Sequence, residues 1–171
     1  MAHAGSIVGA VLDLLRRETK PGMSTEDLDR IAEAFIRSHE GATPSFKGLY
    51  GFPKTLCTSI NQEIVHGIPS KKRVLRQLHA RAALGLSEGN LVSVDVGVHF
   101  EGLHADSATT IGVGEISPEA QRLLDVTQAS LAAGIAAARV GNHVGDIGHA
   151  VQTVAEGAEF GVVRELVGHG I

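Results

Sequence analysis

The clearest pattern in the chain is a strict alternation of apolar and polar residues from 92 to 100. Every second residue is apolar, and the residues between them are Ser93, Asp95, Gly97 and His99. This period of two predicts a β-strand with one buried face. Glu101-Gly102 then provides turn residues, and a second β-like segment covers residues 105–111. The pattern therefore predicts a β-hairpin.

The predicted hairpin brings two carboxylates together, Asp95 in the first strand and Asp106 in the second. An Asp within a Val-rich strand opposes β propensity, and a buried carboxylate without a partner is costly. Two carboxylates that face each other need a cation or a shared proton between them. The hairpin is therefore the first candidate for a functional site.

Helical periodicity and further β-like segments fill most of the remaining chain. The predicted helices cover residues 4–18, 25–38, 74–86, 118–140 and 144–156, and the further predicted strands cover 54–60, 64–69 and 160–167. Ser24 is a favourable N-cap for the second helix, with Asp27 completing a capping box. Ser117 and Pro118 begin the fourth helix in the same manner.

Composition narrows the classes of function. Apolar residues make up 43% of the 171 residues, which is enough for a core in a single domain. A net charge of −4 without a Lys/Arg stripe argues against nucleic-acid binding. The single cysteine, Cys57, excludes an intramolecular disulfide and fits a reducing compartment. We identify neither a signal peptide nor a membrane-spanning run, and therefore expect a cytoplasmic protein.

Two histidines extend the candidate chemistry. His66 ends a predicted strand, and His169 lies between two glycines that let the backbone approach a ligand closely. With the two Asp residues they fit a divalent metal site, since oxygen and imidazole ligands suit Mn, Fe, Co or Zn. A hydrogen-bonded structural His66 and a frayed terminus at His169 remain open alternatives. Residues 42–53 are either a loop that caps the core or an apolar pocket wall.

The chain resembles the type I methionine aminopeptidases, metallopeptidases of the pita-bread fold, over nearly its whole length. The motifs that carry this resemblance are GFPK at residues 51–54, CTSIN at 57–61, VHGIP at 65–69, VDVG at 94–97, GLHADS at 102–107, VVRE at 162–165 and GHGI at 168–171. The resemblance implies an α+β fold in which helices cover one side of an antiparallel sheet. This chain corresponds to the first half of that fold and the start of the second.

The resemblance also implies a site and a reaction. Asp95, Asp106 and His169 match metal ligands of a centre that holds two divalent ions, with Co, Mn, Fe or Zn as candidates. His66 matches the catalytic histidine that hydrogen-bonds the substrate. The methionine pocket is matched by Phe46, Leu49, Phe52 and Cys57, with His66 also facing the substrate. The implied function is metal-dependent removal of the N-terminal methionine from nascent proteins, without nucleic-acid or membrane partners.

Among the departures of the chain from the family pattern, two concern the site and the domain. The family continues beyond the GHGI motif, and its two Glu metal ligands lie in that continuation. We also expect one truncated domain over residues 1–171, with an inserted segment at about 76–86. Because the two Glu ligands are missing, the alternative function is a catalytically inactive pita-bread remnant that binds a partner or self-associates. An uncovered half-core predicts a homo-oligomer that buries it.

Overall fold

The computed structural model describes residues 1–78 and 88–169, in two compact units, Met1–Ser117 and Pro118–Gly170. The first unit contains helices α1 (Ala2–Glu18) and α2 (Thr25–Arg37), strands β1 (Ala42–Pro44), β2 (Leu56–Ile60), β3 (Gln77–Leu78), β4 (Glu88–Gly89), β5 (Leu91–Phe100) and β6 (Leu103–Gly112), and a 3₁₀ turn (Leu49–Gly51). The second unit contains α3 (Pro118–Ala137) and α4 (Val144–Gly157). Most of the predicted insertion at 76–86 lies outside the described residues.

Strand β5 is the centre of the main antiparallel sheet. It pairs with β6 along one edge, and with β2 and then β1 along the other. The face predicted to be apolar is buried, and α1 and α2 pack against it in a single core. The fully buried valines of this face are Val92, Val94, Val96 and Val98. The predicted α+β fold, with helices on one side of an antiparallel sheet, is confirmed for the first unit.

Helix α2 begins at the residue that the sequence predicts. The Ser24 side chain accepts a hydrogen bond from the Asp27 amide at 3.2 Å, and the Asp27 carboxylate accepts one from the Ser24 amide at 2.9 Å. This capping box satisfies two amides that the first helical turn leaves without partners. Hydrogen bonds from Ser24 hold the pKa of Asp27 below its usual value.

The second unit is a helical hairpin. Gly134 of α3 allows the two helices to approach closely, because a Cβ atom at this position would lie 2.9 Å from a methyl group of Val151 in α4. The Asp146 carboxylate accepts a hydrogen bond from the His143 amide at 2.7 Å, which fixes the start of α4. None of the described helices is both long and apolar enough to cross a membrane.

Three predicted elements differ from the structure. Residues 64–69 form no strand, because His66 adopts a left-handed φ of +59° and Pro69 has no amide proton to donate. Residues 160–167 also form no strand; apolar periodicity indicated one there, but none of the described strands pairs with them. Within the helix predicted over 74–86, residues 77–78 instead pair with Glu88–Gly89, and residues 79–86 lie outside the described part of the chain.

Candidate metal centre

Asp95 and Asp106 lie on the same face of the β5–β6 hairpin, opposite to the buried valines. Asp106 pairs with Gly97, and Asp95 pairs with Ala108, so the two carboxylates are diagonal neighbours across the two strands. Diagonal positions of this kind have Cα atoms about 7–8 Å apart, within reach of a shared ion. We call Asp95 and Asp106 the acid pair. The structure thus brings together the two residues with which the sequence analysis began.

Cys57 of β2 lies directly opposite Asp95 on the other edge of β5. Its side chain is buried, and this burial, together with the negative charges of Asp95, Asp106 and Asp29, raises the pKa of the thiol to about 12. The thiol is therefore protonated near neutral pH and is not a nucleophile. Asp95 and Asp106 both raise the pKa of Cys57, so their negative charges act on the same part of this face. Concentrated negative charge of this kind attracts a cation.

Phe46 lies over Gly97, which is two residues from Asp95 in β5 and directly opposite Asp106 in β6. A Cβ atom on Gly97 would lie 2.7 Å from the Phe46 ring and 2.8 Å from Cβ of Ser45. The Ser45 amide donates a hydrogen bond to the Gly97 carbonyl at 2.9 Å, which holds this segment against β5. Because Gly97 shares the face of Asp95, the Phe46 ring lies beside the acid pair. Glycine is needed here for close approach.

Leu49 and Phe52 lie in the turn that follows Phe46. The Leu49 amide donates to the Phe46 carbonyl at 3.0 Å, and the Phe52 amide donates to the Leu49 carbonyl at 2.9 Å. Leu49 is exposed and Phe52 is half-buried. The turn thus presents two apolar side chains close to Phe46 in the chain.

Asp29 positions the strand that carries Cys57, a role that the sequence analysis missed. Its buried carboxylate accepts hydrogen bonds from the amides of Thr55 and Leu56 at 2.8 and 2.9 Å. Burial raises the pKa of Asp29, and these two amides oppose the rise. The only signal in the sequence is that this Asp falls within the apolar stripe of α2, next to Leu28.

His66 lies in an irregular segment on the outer edge of β2. The Thr58 amide donates to the Gly67 carbonyl at 2.7 Å, which attaches the segment to the strand. Gly67 is required at this contact, because a Cβ atom would lie 2.0 Å from the Thr58 carbonyl oxygen. The His66 side chain is exposed. Two strand spacings separate the segment from β5, about 10 Å in a flat sheet.

Arg73 braces the segment that carries His66. Its Nη1 donates to the Ile68 carbonyl at 2.8 Å, and its Nη2 forms an ion pair with Glu63. The Glu63 carboxylate in turn accepts a hydrogen bond from the Ile60 amide at 2.7 Å. We call residues 61–73 the His66 loop. The loop is attached to β2 at two points, through the bond from the Ile60 amide to Glu63 and the bond from the Thr58 amide to Gly67.

His169 is exposed and belongs to the second unit, whereas the acid pair belongs to the first. Its predicted place beside the acid pair thus stays a prediction. Within residues 1–78 and 88–169, no group of three or more His, Cys, Asp or Glu side chains has the arrangement of a metal site. Two carboxylates on one face, beside a thiol whose pKa they raise, nevertheless fit a divalent cation as part of its ligand set.

The comparisons with known proteins decide the family. A family model described as metallopeptidase family M24 matches residues 1–171, the whole chain. The chain belongs to metallopeptidase family M24. Among its relatives, the methionine aminopeptidases of Clostridium acetobutylicum and Clostridium perfringens are 48% and 47% identical to it, each over 100% of this chain and 64% of the relative.

A solved structure supports the same family and gives the fold. The methionine aminopeptidase of Thermotoga maritima superposes with a TM-score of 0.89 at 34% identity, over 100% of this M24 chain and 64% of that one. The fold is therefore the first part of the pita-bread fold, as the resemblance implied. The chain spans about 64% of the length of these curated relatives.

Proposed function

We propose that this M24 chain takes part in the metal-dependent removal of the N-terminal methionine from peptides and nascent proteins. The observation that carries the proposal is the acid pair on one face of the hairpin, with Phe46 and Cys57 beside it. The relatives named methionine aminopeptidase support the choice of reaction. The single cysteine supports the cytoplasm as its location, and self-association of the chain stays a prediction.

Asp95 and Asp106 would hold the divalent ions through carboxylate oxygens, with His169 as a nitrogen ligand. We propose two ions per complete site, with Co, Mn, Fe or Zn as candidates. Such ions, when bound, activate water and polarise the carbonyl of the first peptide bond. In this arrangement the acid pair contributes negative charge and position, and the protonated Cys57 thiol contributes a neutral, apolar wall.

The methionine side chain would lie against the apolar residues beside the acid pair. The Phe46 ring lies so close to Gly97 that a Cβ atom there would collide with it, and Cys57 faces Asp95 across the strands. Leu49 and Phe52 follow in the same turn and would complete the pocket. A flexible thioether fits a pocket of aromatic and sulfur-containing groups well.

His66 would act on the substrate rather than on the metal. Its loop lies about two strand spacings, roughly 10 Å, from β5, a separation that suits a residue across a bound peptide. As a donor near the scissile bond it would stabilise charge that develops on the carbonyl oxygen. Removal of one such donor typically lowers kcat about 100- to 1,000-fold, and His66→Ala, which leaves no side-chain donor, measures this loss.

The experiment is hydrolysis of a Met-Ala-Ser peptide by the chain with added Co²⁺ or Mn²⁺. We expect methionine release above a metal-only blank, and its abolition in Asp95→Asn and in Asp106→Asn. Asp13→Asn, on the exposed surface of α1, is the matched control and should retain full activity. Phe46→Ala should raise KM more than it lowers kcat.

Two outcomes would contradict the proposal. One is no release above the blank at any protein concentration, together with no calorimetric binding of Mn²⁺ or Co²⁺. That pair of results favours the inactive remnant that binds a partner. The other is release that persists in both Asp variants, since the activity would then not depend on the acid pair.

A further inference from the structure

A pair of imidazole rings lies at the turn end of the hairpin, on the same face as the acid pair and next to Asp106 along β6. His99 of β5 and His104 of β6 are directly opposite each other in the ladder. Their ring centroids are 4.7 Å apart, and the ring planes are inclined by 46°. His104 is exposed and His99 is half-buried, so solvent reaches the pair. We call these two residues the imidazole pair.

Each ring already has one nitrogen occupied by a hydroxyl group. Nδ1 of His104 lies 2.9 Å from Oγ of Ser45, and Nδ1 of His99 lies 3.4 Å from Oγ1 of Thr43. When each Nδ1–H donates to its hydroxyl oxygen, the lone pair remains on Nε2. A hydrogen bond on the other ring nitrogen that fixes the tautomer is the usual arrangement around a metal-ligating histidine.

The separation of the rings fits a single ion. With metal–nitrogen bonds of about 2.0–2.1 Å, two imidazoles on one ion have ring centroids about 4.5 Å apart at a right angle and about 5.2 Å apart at the tetrahedral angle. The observed 4.7 Å lies between these limits. Cross-strand neighbours are held at this spacing by the ladder itself, so little reorganisation is needed on binding.

We propose that the imidazole pair is a second cation site, which binds one borderline divalent ion of the Ni²⁺, Cu²⁺ or Zn²⁺ class through the Nε2 atoms of His99 and His104. Water completes the coordination shell, because the remaining ligands are open to solvent. Ser45 is a positioning residue that fixes the tautomer of His104.

The chemistry of the ligands separates this site from the acid pair. Imidazole suits Ni, Cu and Zn, whereas carboxylate suits Mg, Ca and Mn. Ni²⁺ should therefore favour the imidazole pair, and Mn²⁺ should favour the acid pair. The site rests only on residues of the first unit and does not depend on the proposed aminopeptidase activity.

The test uses the whole chain with Asp95→Asn and Asp106→Asn together, so that the carboxylates of the acid pair do not compete for the ion, and with His3→Gln, so that the amino-terminal Met-Ala-His sequence does not bind Ni²⁺. Ni²⁺ and Mn²⁺ are titrated by calorimetry at pH 7.5, and the imidazole signals are followed by NMR as paramagnetic Ni²⁺ is added. We expect one Ni²⁺ per chain, early broadening of the His99 and His104 signals, and no binding of Mn²⁺. Broadening measured without altering either histidine keeps the test valid if their variants fail to fold.

Matched variants then assign the site. His99→Gln and His104→Gln should each weaken Ni²⁺ binding by more than Ser45→Ala. Ser45→Ala should weaken it about tenfold, since loss of a hydrogen-bond partner of a ligating His costs roughly 10- to 100-fold in affinity. His143→Gln, on an exposed His of the second unit, is the control and should change nothing. Unchanged binding in His99→Gln, or equal broadening of all histidine signals, would overturn the proposal.

Discussion

Asp95 and His66 are held in place by opposite kinds of structure. Asp95 lies in β5, which pairs with a strand on each side. His66 lies in an irregular loop with a left-handed φ of +59°, attached to β2 through Gly67 and braced by Arg73. In the hairpin the backbone ladder sets the position of each side chain, whereas in the His66 loop a few specific contacts do so.

The difference has consequences for what each region tolerates. A ladder distributes its constraint over many backbone hydrogen bonds, so a polar side chain on its open face can change without moving the strand. The His66 loop concentrates its constraint in single contacts, one of which leaves no room for a Cβ atom. Substitutions should therefore lower the free energy of unfolding strongly in the His66 loop, and only weakly at polar positions on the hairpin face that carries the acid pair.

Gly67→Ala should have the largest effect. The added Cβ would lie 2.0 Å from the Thr58 carbonyl oxygen, and the backbone of β2, which is paired with β5, cannot yield as a side chain does. We expect a loss of about 3 kcal/mol in the free energy of unfolding by urea, the upper end for overpacking. The Thr58 amide should also exchange its hydrogen faster.

Gly9→Ala is the control for this substitution. Gly9 lies within α1, and a Cβ atom there meets nothing within 4 Å. It should increase the free energy of unfolding by about 0.5–1 kcal/mol, the ordinary gain of Ala over Gly in a helix. A similar change for Gly67→Ala would show that the Thr58 contact does not restrict the loop.

Gly97→Ala tests the corresponding close approach in the hairpin and should cost less. The colliding atoms are the Phe46 ring, at 2.7 Å, and Cβ of Ser45, at 2.8 Å, and the ring can rotate away. We expect a loss of about 1–2 kcal/mol in the free energy of unfolding by urea.

The double variant Gly97→Ala, Phe46→Leu gives the control. If the Phe46 ring is the obstacle, the two changes are coupled, and the double variant loses less than the sum of the single losses. If the losses in the free energy of unfolding are simply additive, the methyl group added at Gly97 collides with something other than the Phe46 ring. The argument that Phe46 lies beside the acid pair would then be lost.

Sequence reasoning succeeds where periodicity alone sets position. Alternation from 92 to 100 is sufficient to predict β5, its turn and the shared face of the acid pair. The same ladder makes His99 and His104 partners, which the sequence analysis did not predict, although a two-residue turn at Glu101-Gly102 implies that pairing. By contrast, the segment at 64–69 has the apolar content of a strand but not its backbone, because a left-handed φ at His66 has no periodic signature.

Asp29 illustrates the other limit. Its role depends on two amides that follow it by 26 and 27 residues, and only the folded chain brings them to its carboxylate. Its position within the apolar stripe of α2 indicates burial but does not identify the two amides that it binds. Long-range polar contacts that hold a strand start are thus poorly predicted from sequence, although the burial of their neighbours is well predicted.

Arg73→Met should loosen the His66 loop with a smaller energetic effect. The Arg73 side chain is only partly buried, so loss of its ion pair with Glu63 and of its bond to the Ile68 carbonyl should cost about 1 kcal/mol. Hydrogen exchange at Gly67 should accelerate while exchange in β5 stays unchanged. Arg30→Met, which removes a more exposed pair with Asp27, is the control and should leave both regions unaffected.

Asp95→Asn should change the free energy of unfolding least among these variants, but it should clearly lower the pKa of the neighbouring Cys57 thiol. Burial and the charges of Asp95 and Asp106 raise the pKa of Cys57 to about 12. Neutralising Asp95 removes one of these charges, so the thiol pKa should fall, and alkylation by iodoacetamide in metal-free buffer should begin at lower pH. Asp13→Asn, on the exposed surface of α1, removes a charge that does not contribute to the raised pKa of Cys57 and should leave the alkylation profile unchanged.

The same shift has a signature in stability. Between the ordinary cysteine pKa of 9.0 and about 12 the folded chain retains a thiol proton that the unfolded chain has lost, so the free energy of unfolding falls as pH rises through this window. In Asp95→Asn the window closes at a lower pH, and the fall becomes smaller. Identical alkylation profiles in Asp95→Asn and in the unaltered chain would mean that the Asp95 carboxylate does not act on Cys57. The hairpin face that carries the acid pair would then lack the concentrated negative charge that makes it a candidate metal site.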